Sequence, residues 1–225
     1  MDARIKGVYA ITPDIADTQL LTKKVEAALQ GGINLLQYRN KSASDNLQMQ
    51  QASAILALCR QYNVPLIIND SLKLCLMLDA DGVHIGADDG NLAEVRANIG
   101  PHKILGTSCY NRFDLAIKAE KQGASYVAFG ACFASQTKPN APVTSLDLFM
   151  RAKNELTIAT VAIGGISLHN ATKAINAGAN AIAVINAIFN IDDIISFTKS
   201  DVKPDVKTTT SQFSTLFKNF NHDIT

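Results

Sequence analysis

Apolar residues return along the chain in eight short runs, most of them closed by a polar residue or a glycine pair. The runs are Val8–Ile11, Asn34–Gln37, Leu66–Ile68, Gly82–Ile85, Ile104–Gly106, Tyr126–Phe129, Ala159–Ile163 and Ala181–Ile185. Between them the apolar spacing changes to that of a helix face. It predicts helices over Leu20–Leu29, Leu47–Tyr62, Leu72–Leu78, Leu92–Ile99, Leu115–Gln122, Leu146–Asn154, Leu168–Asn176 and Ile191–Thr198. The first ends at Gly31-Gly32 and the second just before Pro65, both ordinary helix stops. Strands alternating with helices imply a parallel sheet, because parallel neighbours need a long crossover.

An open parallel sheet would gather its ligand groups at one switch point. Here polar groups follow nearly every run: Thr12, Arg39 and Lys41, Asn69 and Asp70, Asp88 and Asp89, Ser108, Thr137 and Lys138, Gly164 and Gly165, and Asn186. A closed barrel collects all its strand C-termini on one face, where such barrels place their active sites. The pattern predicts an α/β fold, a single (β/α)8 TIM barrel over residues 1–198, with a short C-terminal extension over 199–225. The extension opens with a charged, proline-containing break, Lys199–Gln212. It continues with Phe213, Leu216, Phe217 and Phe220, an amphipathic helical stripe. The stripe suits a last helix packing on the barrel or on a second subunit, and equally a partner-binding tail.

Length and composition narrow the class. At 225 residues and 47% hydrophobic, the chain suits one compact barrel with a large core. A net charge of +1 excludes the basic surface of a nucleic-acid binder. No apolar run reaches bilayer length, and the start Met1–Lys6 has no secretory h-region, so no membrane association is expected. The four cysteines show no CxxC spacing and are expected as reduced, buried thiols of a cytoplasmic protein. His84 falls inside a strand and reads as a satisfied structural histidine rather than a metal ligand.

The chemistry concentrates after the runs. In an extended segment, residues two apart share a face, so Gln37, Arg39 and Lys41 can point together, with Lys138 converging from the loop after the sixth run. Cations and an amide on one cavity suit a phosphate or diphosphate, although Arg39 and Lys41 also read as a solvated loop pair. Asp70 and Asp89 end neighbouring strands. Carboxylates sharing a cation with substrate phosphates are how Mg²⁺ is held. Alternatively, Asp70 caps the next helix, Asp89 is a loop acid, or the pair serves as acid and base of a hydrolase. The Gly130–Lys138 loop, with its small and hydroxylic residues, and the Gly164-Gly165 amides suggest a second anion site. Gln136–Pro142, with two prolines, is a candidate lid. No GxxxxGK[ST], GxGxxG or GxSxG is present, which excludes the common nucleotide, dinucleotide and serine-hydrolase motifs.

Taken together, several segments resemble the thiamine phosphate synthase family from about Val8 to about Phe197. They are Tyr9–Thr12, Gln37–Lys41, Ile67–Asp70, Asp81–Gly86 with Asp89, Gly106–Ser108, Tyr126–Lys138, Val161–Ile166 and Ala183–Ile185. The resemblance implies a transferase that joins an aminopyrimidine methyl diphosphate to a thiazole ethyl phosphate, releasing thiamine monophosphate and diphosphate. It implies that Gln37, Arg39, Lys41, Asn69, Ser108 and Lys138 bind the pyrimidine diphosphate, with Arg39, Ser108 and Lys138 serving the chemistry. Asp70 and Asp89 would hold Mg²⁺, and Ser135, Thr137, Gly165, Ile185 and Asn186 would surround the thiazole phosphate. By resemblance the reaction passes through a stabilised pyrimidine carbocation, captured by the thiazole nitrogen, and needs no protein nucleophile. The partners expected are these small molecules, with a homo-oligomer left open. The chain departs from the family pattern at Ser71, Ala87, Ala131, Ser135 and Asn186. Two rivals share the barrel. One is a thiazole tautomerase, whose histidine would stand where this chain has Ala131. The other is a non-catalytic barrel binding a phosphorylated ligand.

Overall fold

The computed structural model describes residues 1–86, 90–134, 143–190 and 205–222. Eight strands close into a barrel in the order β1 to β8, every neighbour parallel. They are β1 Gly7–Ile11, β2 Leu35–Tyr38, β3 Leu66–Asn69, β4 Gly82–Ile85, β5 Ile104–Tyr110, β6 Tyr126–Phe129, β7 Ala159–Ile163 and β8 Ala181–Val184. Each run therefore forms its strand within a few residues of its predicted ends, and the expected (β/α)8 barrel is the fold observed.

The period-two alternation sorts the side chains. Tyr9, Ile11, Leu35, Ile67, Ile104, Tyr126, Ala128, Ala159, Val161, Ala181 and Ala183 fill the barrel interior, with Ile5 among them. Their outward neighbours, such as Val8, Leu36, Ile68, Val83, Leu105, Val127, Ala162 and Ile182, join the larger core beneath the helices. The same alternation turns Gln37, Asn69, His84 and Ser108 to the inside.

The outer layer comprises α1 Thr18–Gln30, α2 Asp45–Tyr62, α3 Leu72–Leu78, α4 Leu92–Ile99, α5 Phe113–Lys121, α6 Asp147–Glu155, α7 Ala171–Asn176, α8 Asn186–Phe189 and α9 Val206–His222. Side chains cap the starts of α1 and α2, where Asp17 and Ser44 accept first-turn N–H groups. The helix expected over Ile191–Thr198 and the candidate lid Gln136–Pro142 lie outside the described residues. Directly after β8 the chain makes the single turn α8. Beyond it, α9 packs against α1, α7, α8 and β1, filling the gap between the last and first helices. Phe213 of the stripe is fully buried, Leu216 and Phe217 pack on the same core, and Ser214 Oγ donates to the carbonyls of Gly31 and Gly32 at 3.2 and 2.8 Å. The stripe thus packs back on the barrel; the side chain of Phe220 lies outside the described residues. Among the described residues, no helix is long and apolar enough to cross a membrane.

Candidate active site

The corner where β1 and β2 end is held by paired hydrogen bonds. Thr12 Oγ1 accepts the Arg39 N–H and donates to the Arg39 carbonyl, both at 2.8 Å. Asp14 Oδ1 accepts from Arg39 Nη1 at 3.0 Å and from the Lys41 N–H at 3.1 Å. Behind this segment the buried Gln51 Oε1 accepts from Tyr38 Oη at 2.9 Å and from Asn40 Nδ2 at 3.0 Å, while its Nε2 donates to the Ile15 carbonyl at 2.9 Å. Burial pushes the Tyr38 phenol up to about 12, so it remains a donor. A fully satisfied buried network of this kind fixes its backbone. Arg39 and Lys41 therefore stand on a pinned segment, not a freely solvated loop.

Asp70 completes the corner. Its backbone is left-handed, at φ 59°, a conformation that aspartate tolerates better than most residues, and its N–H donates to the His84 carbonyl at 2.8 Å. The carboxylate accepts from Asn69 Nδ2 at 2.7 Å and lies 3.3 Å from Lys41 Nζ. The helix-cap alternative for Asp70 is corrected here: the cap of α3 is Ser71, whose hydroxyl accepts the Leu74 N–H at 3.1 Å. This frees the Asp70 carboxylate for the mouth. Asp89 lies outside the described residues.

Inside the barrel a single file of polar groups runs beneath the mouth. Gln37 Nε2 donates to Tyr9 Oη at 2.8 Å, and Tyr9 Oη meets Tyr126 Oη at 2.8 Å. His84 Nδ1 lies 2.9 Å from Tyr126 Oη, and His84 Nε2 lies 2.9 Å from Ser108 Oγ. Burial pushes both phenols well above their usual range, with Tyr9 raising Tyr126 further, and holds the imidazole down to about 4, so His84 is neutral. Gln37 is 3% exposed, with its amide turned to Tyr9 Oη. A Cβ at Gly106 would fall 2.0 Å from Tyr126 Cζ; only glycine leaves room for that ring.

Among the described residues, the β6–β8 side of the mouth is built from backbone and apolar groups. Gly165 has φ 66°, and a Cβ there would lie 2.4 Å from the Phe133 carbonyl oxygen, so the glycine is required twice over. The Phe133 N–H donates to the Gly164 carbonyl at 3.0 Å, and Asn170 Nδ2 donates to the Gly165 carbonyl at 2.9 Å, locking the loops after β6 and β7 together. Ile185 packs on the interior cluster, and Asn186 opens α8. Ser135, Thr137 and Lys138 lie outside the described residues.

Comparison with known proteins decides the family. The model described as "Thiamine monophosphate synthase" matches residues 8–188. The thiamine-phosphate synthase of Methylobacillus flagellatus is 55% identical over 190 residues, covering 84% of this chain and 90% of that relative. This chain belongs to the thiamine monophosphate synthase family. The relative of the same name from Aromatoleum aromaticum is 50% identical over 192 residues, covering 85% of this chain and 92% of its own. A solved structure, thiamine phosphate pyrophosphorylase from Pyrococcus furiosus, superposes with a TM-score of 0.79 at 29% identity, covering 96% of each chain. Its family makes the chain a transferase of thiamine biosynthesis.

Within that family frame, the structure adds roles that sequence reasoning did not assign. Thr12 and Asp14 orient Arg39; the only signal for them was their place just past β1. Tyr9 and Tyr126 pair inside the barrel, and nothing in one sequence pairs residues so far apart. His84 is satisfied, as expected, but one of its partners is Ser108. Ser71, one of the departures from the family pattern, serves as the helix cap of α3.

Proposed function

We propose that the barrel mouth condenses an aminopyrimidine methyl diphosphate with a thiazole ethyl phosphate to give thiamine monophosphate and diphosphate. The observation that carries this reading is the pinned corner at β1–β3, where Arg39 and Lys41 stand beside Asp70 with Lys41 Nζ 3.3 Å from its carboxylate. Two cations on a fixed backbone suit an oligophosphate. Lys138, by family resemblance, adds a third, and Asn69 and Ser108 add polar contacts. As the C–O bond of the pyrimidine methylene breaks, its electron pair leaves with the diphosphate oxygen, and Arg39 and Lys41 offset that charge. The thiazole nitrogen then forms the C–N bond with its lone pair. No step asks for a protein nucleophile. Gly165, Ile185 and Asn186, with Ser135 and Thr137, form the thiazole phosphate side, where backbone N–H groups and small side chains leave room for a ring.

The donors present fit Mg²⁺. Among the described residues no three-ligand cluster of His, Cys, Asp and Glu exists, whereas Mg²⁺ takes one or two carboxylates and completes its shell with water and substrate phosphate. Asp70 and Asp89 would hold it, and it would supply charge neutralisation on the diphosphate. The isomerase reading has no use for an Arg–Lys–Asp corner of this kind. The four cysteines are buried and free, with thiols pushed up by burial to about 11 or 12, which suits a reducing cytoplasm.

The test is product formation from the two substrates with Mg²⁺, alongside Asp70→Ala. Magnesium-dependent thiamine monophosphate that falls sharply in the variant supports the reading. Folded wild-type protein that makes none overturns it.

A further inference from the structure

We propose that the buried chain Gln37–Tyr9–Tyr126–His84 fixes Ser108 as a one-way hydrogen-bond donor to the substrate at the barrel mouth. The inference rests on the function proposed above and names how one of its groups is poised. Tyr9, Tyr126 and His84 are positioning residues, acting through Ser108.

The argument is an accounting of hydrogens. The amide nitrogen of Gln37 can only donate, and it faces Tyr9 Oη at 2.8 Å. Tyr9 Oη has one other partner, Tyr126 Oη at 2.8 Å, so the Tyr9 hydrogen goes there. Tyr126 Oη, already accepting, turns its own hydrogen to His84 Nδ1 at 2.9 Å. Nδ1 must then carry a lone pair, and the ring proton sits on Nε2, which donates to Ser108 Oγ at 2.9 Å. Ser108 Oγ is now an acceptor within the protein, and its hydrogen has no partner among the described residues and is left for the mouth. A doubly protonated His84 breaks this accounting. Both ring nitrogens would donate, Tyr126 would turn back on Tyr9, and the Tyr9 hydrogen would be stranded among apolar groups at a cost of a buried unsatisfied donor.

Two consequences follow. His84 offers Ser108 a proton rather than a lone pair, so it cannot act as a base for that hydroxyl, and the pair is not a nucleophilic dyad. Ser108 instead presents its hydrogen to the leaving diphosphate oxygen, where a donor gains strength as charge develops. Gly106 belongs to the same device, because its missing side chain is what lets the Tyr126 ring cross the barrel.

The chain's polarity is measurable without any substrate. Long-range proton–nitrogen NMR on the full-length ¹⁵N-labelled protein reads which nitrogen of His84 is protonated, with the signal assigned by its loss in His84→Gln. We expect Nε2–H with bare Nδ1. Nδ1–H overturns the proposal, because the whole chain would then run the other way and Ser108 would donate to His84. A kinetic cycle supplies the second readout. Tyr126→Phe and Ser108→Ala should each lower kcat at least about tenfold, and the double variant should be no slower than Ser108→Ala. Additive losses, or an unchanged kcat in a folded Tyr126→Phe, overturn the proposal. Wild-type protein that makes no thiamine monophosphate overturns the substrate reading instead, and the tautomer still decides the chain's direction.

Discussion

The half of the mouth built by β1 to β5 and the half built by β6 to β8 share one backbone and differ in their side chains. Inward positions of the first half carry Tyr9, Gln37, His84 and Ser108, joined by hydrogen bonds through Tyr126, which β6 contributes from the other side of the barrel, with Arg39, Lys41 and Asp70 on the rim. Above Tyr126, the inward positions of the second half carry Ala128, Val161, Ile163, Ala183 and Ile185, with a glycine pair above them. One half fixes charged side chains through buried polar networks. The other, among its described residues, clears space and offers backbone. A mouth so divided suits a reaction in which one substrate sheds a highly charged group while the other presents a flat ring.

The sharpest way to break this comparison is to remove charge from the first half. Arg39→Met should lower kcat for thiamine monophosphate formation by about a hundred- to a thousand-fold, with the fold intact by circular dichroism. A loss of less than tenfold would mean that the corner does not meet the leaving group.

Acid strikes the same half through the fold. His84 is held down to about 4 by burial, below its unfolded value near 6.5. The unfolded chain therefore binds a proton that the folded chain refuses, so this contribution to stability is complete above pH ~6.5 and is lost as pH falls towards ~4. The loss amounts to up to about 3 kcal/mol, read as a shift of the urea midpoint, and His84→Gln should flatten that dependence.

Gly165→Ala tests the second half. A side chain there meets carbonyl oxygens in a left-handed backbone, and destabilisation of about 1–3 kcal/mol is expected. Among molecules that fold, KM for the thiazole phosphate should rise while that for the pyrimidine diphosphate stays within about twofold. Equal rises in both would dissolve the division between halves. The smallest effect concerns Asp14, which shares an exposed pair with Arg39. Asp14→Asn should raise KM for the pyrimidine diphosphate a few-fold and leave stability within about 0.5 kcal/mol.

Much of this molecule was readable in one dimension. The strands stand out because their runs are short, apolar and bounded by glycine, proline and polar residues. The same alternation that buries Tyr9 and Ile67 turns Gln37 and Asn69 inward, so polar residues at the strand ends could be suspected of sharing a site. Asp70 shows the limit. Sequence offered a helix cap beside the ligand reading, and the cap fell to which side chain reaches the Leu74 N–H, a matter of ångströms that goes to Ser71. The C-terminal stripe shows it again. Its spacing declares a helix, but only the open position between α7 and α1 assigns its apolar face a partner.

The sequence by itself determined the order of elements, the closed parallel barrel, the family and the rim that carries Arg39, Lys41 and Asp70. These depend on local periodicity and on residues adjacent in the chain. Tertiary structure alone decided that Tyr9 and Tyr126, 117 positions apart, touch at 2.8 Å and carry a hydrogen-bond chain from Gln37 to Ser108. Such a contact depends on strand register and on the room left at Gly106. Hydrogen bonds are too short-ranged for either to be fixed by anything but the closed barrel itself.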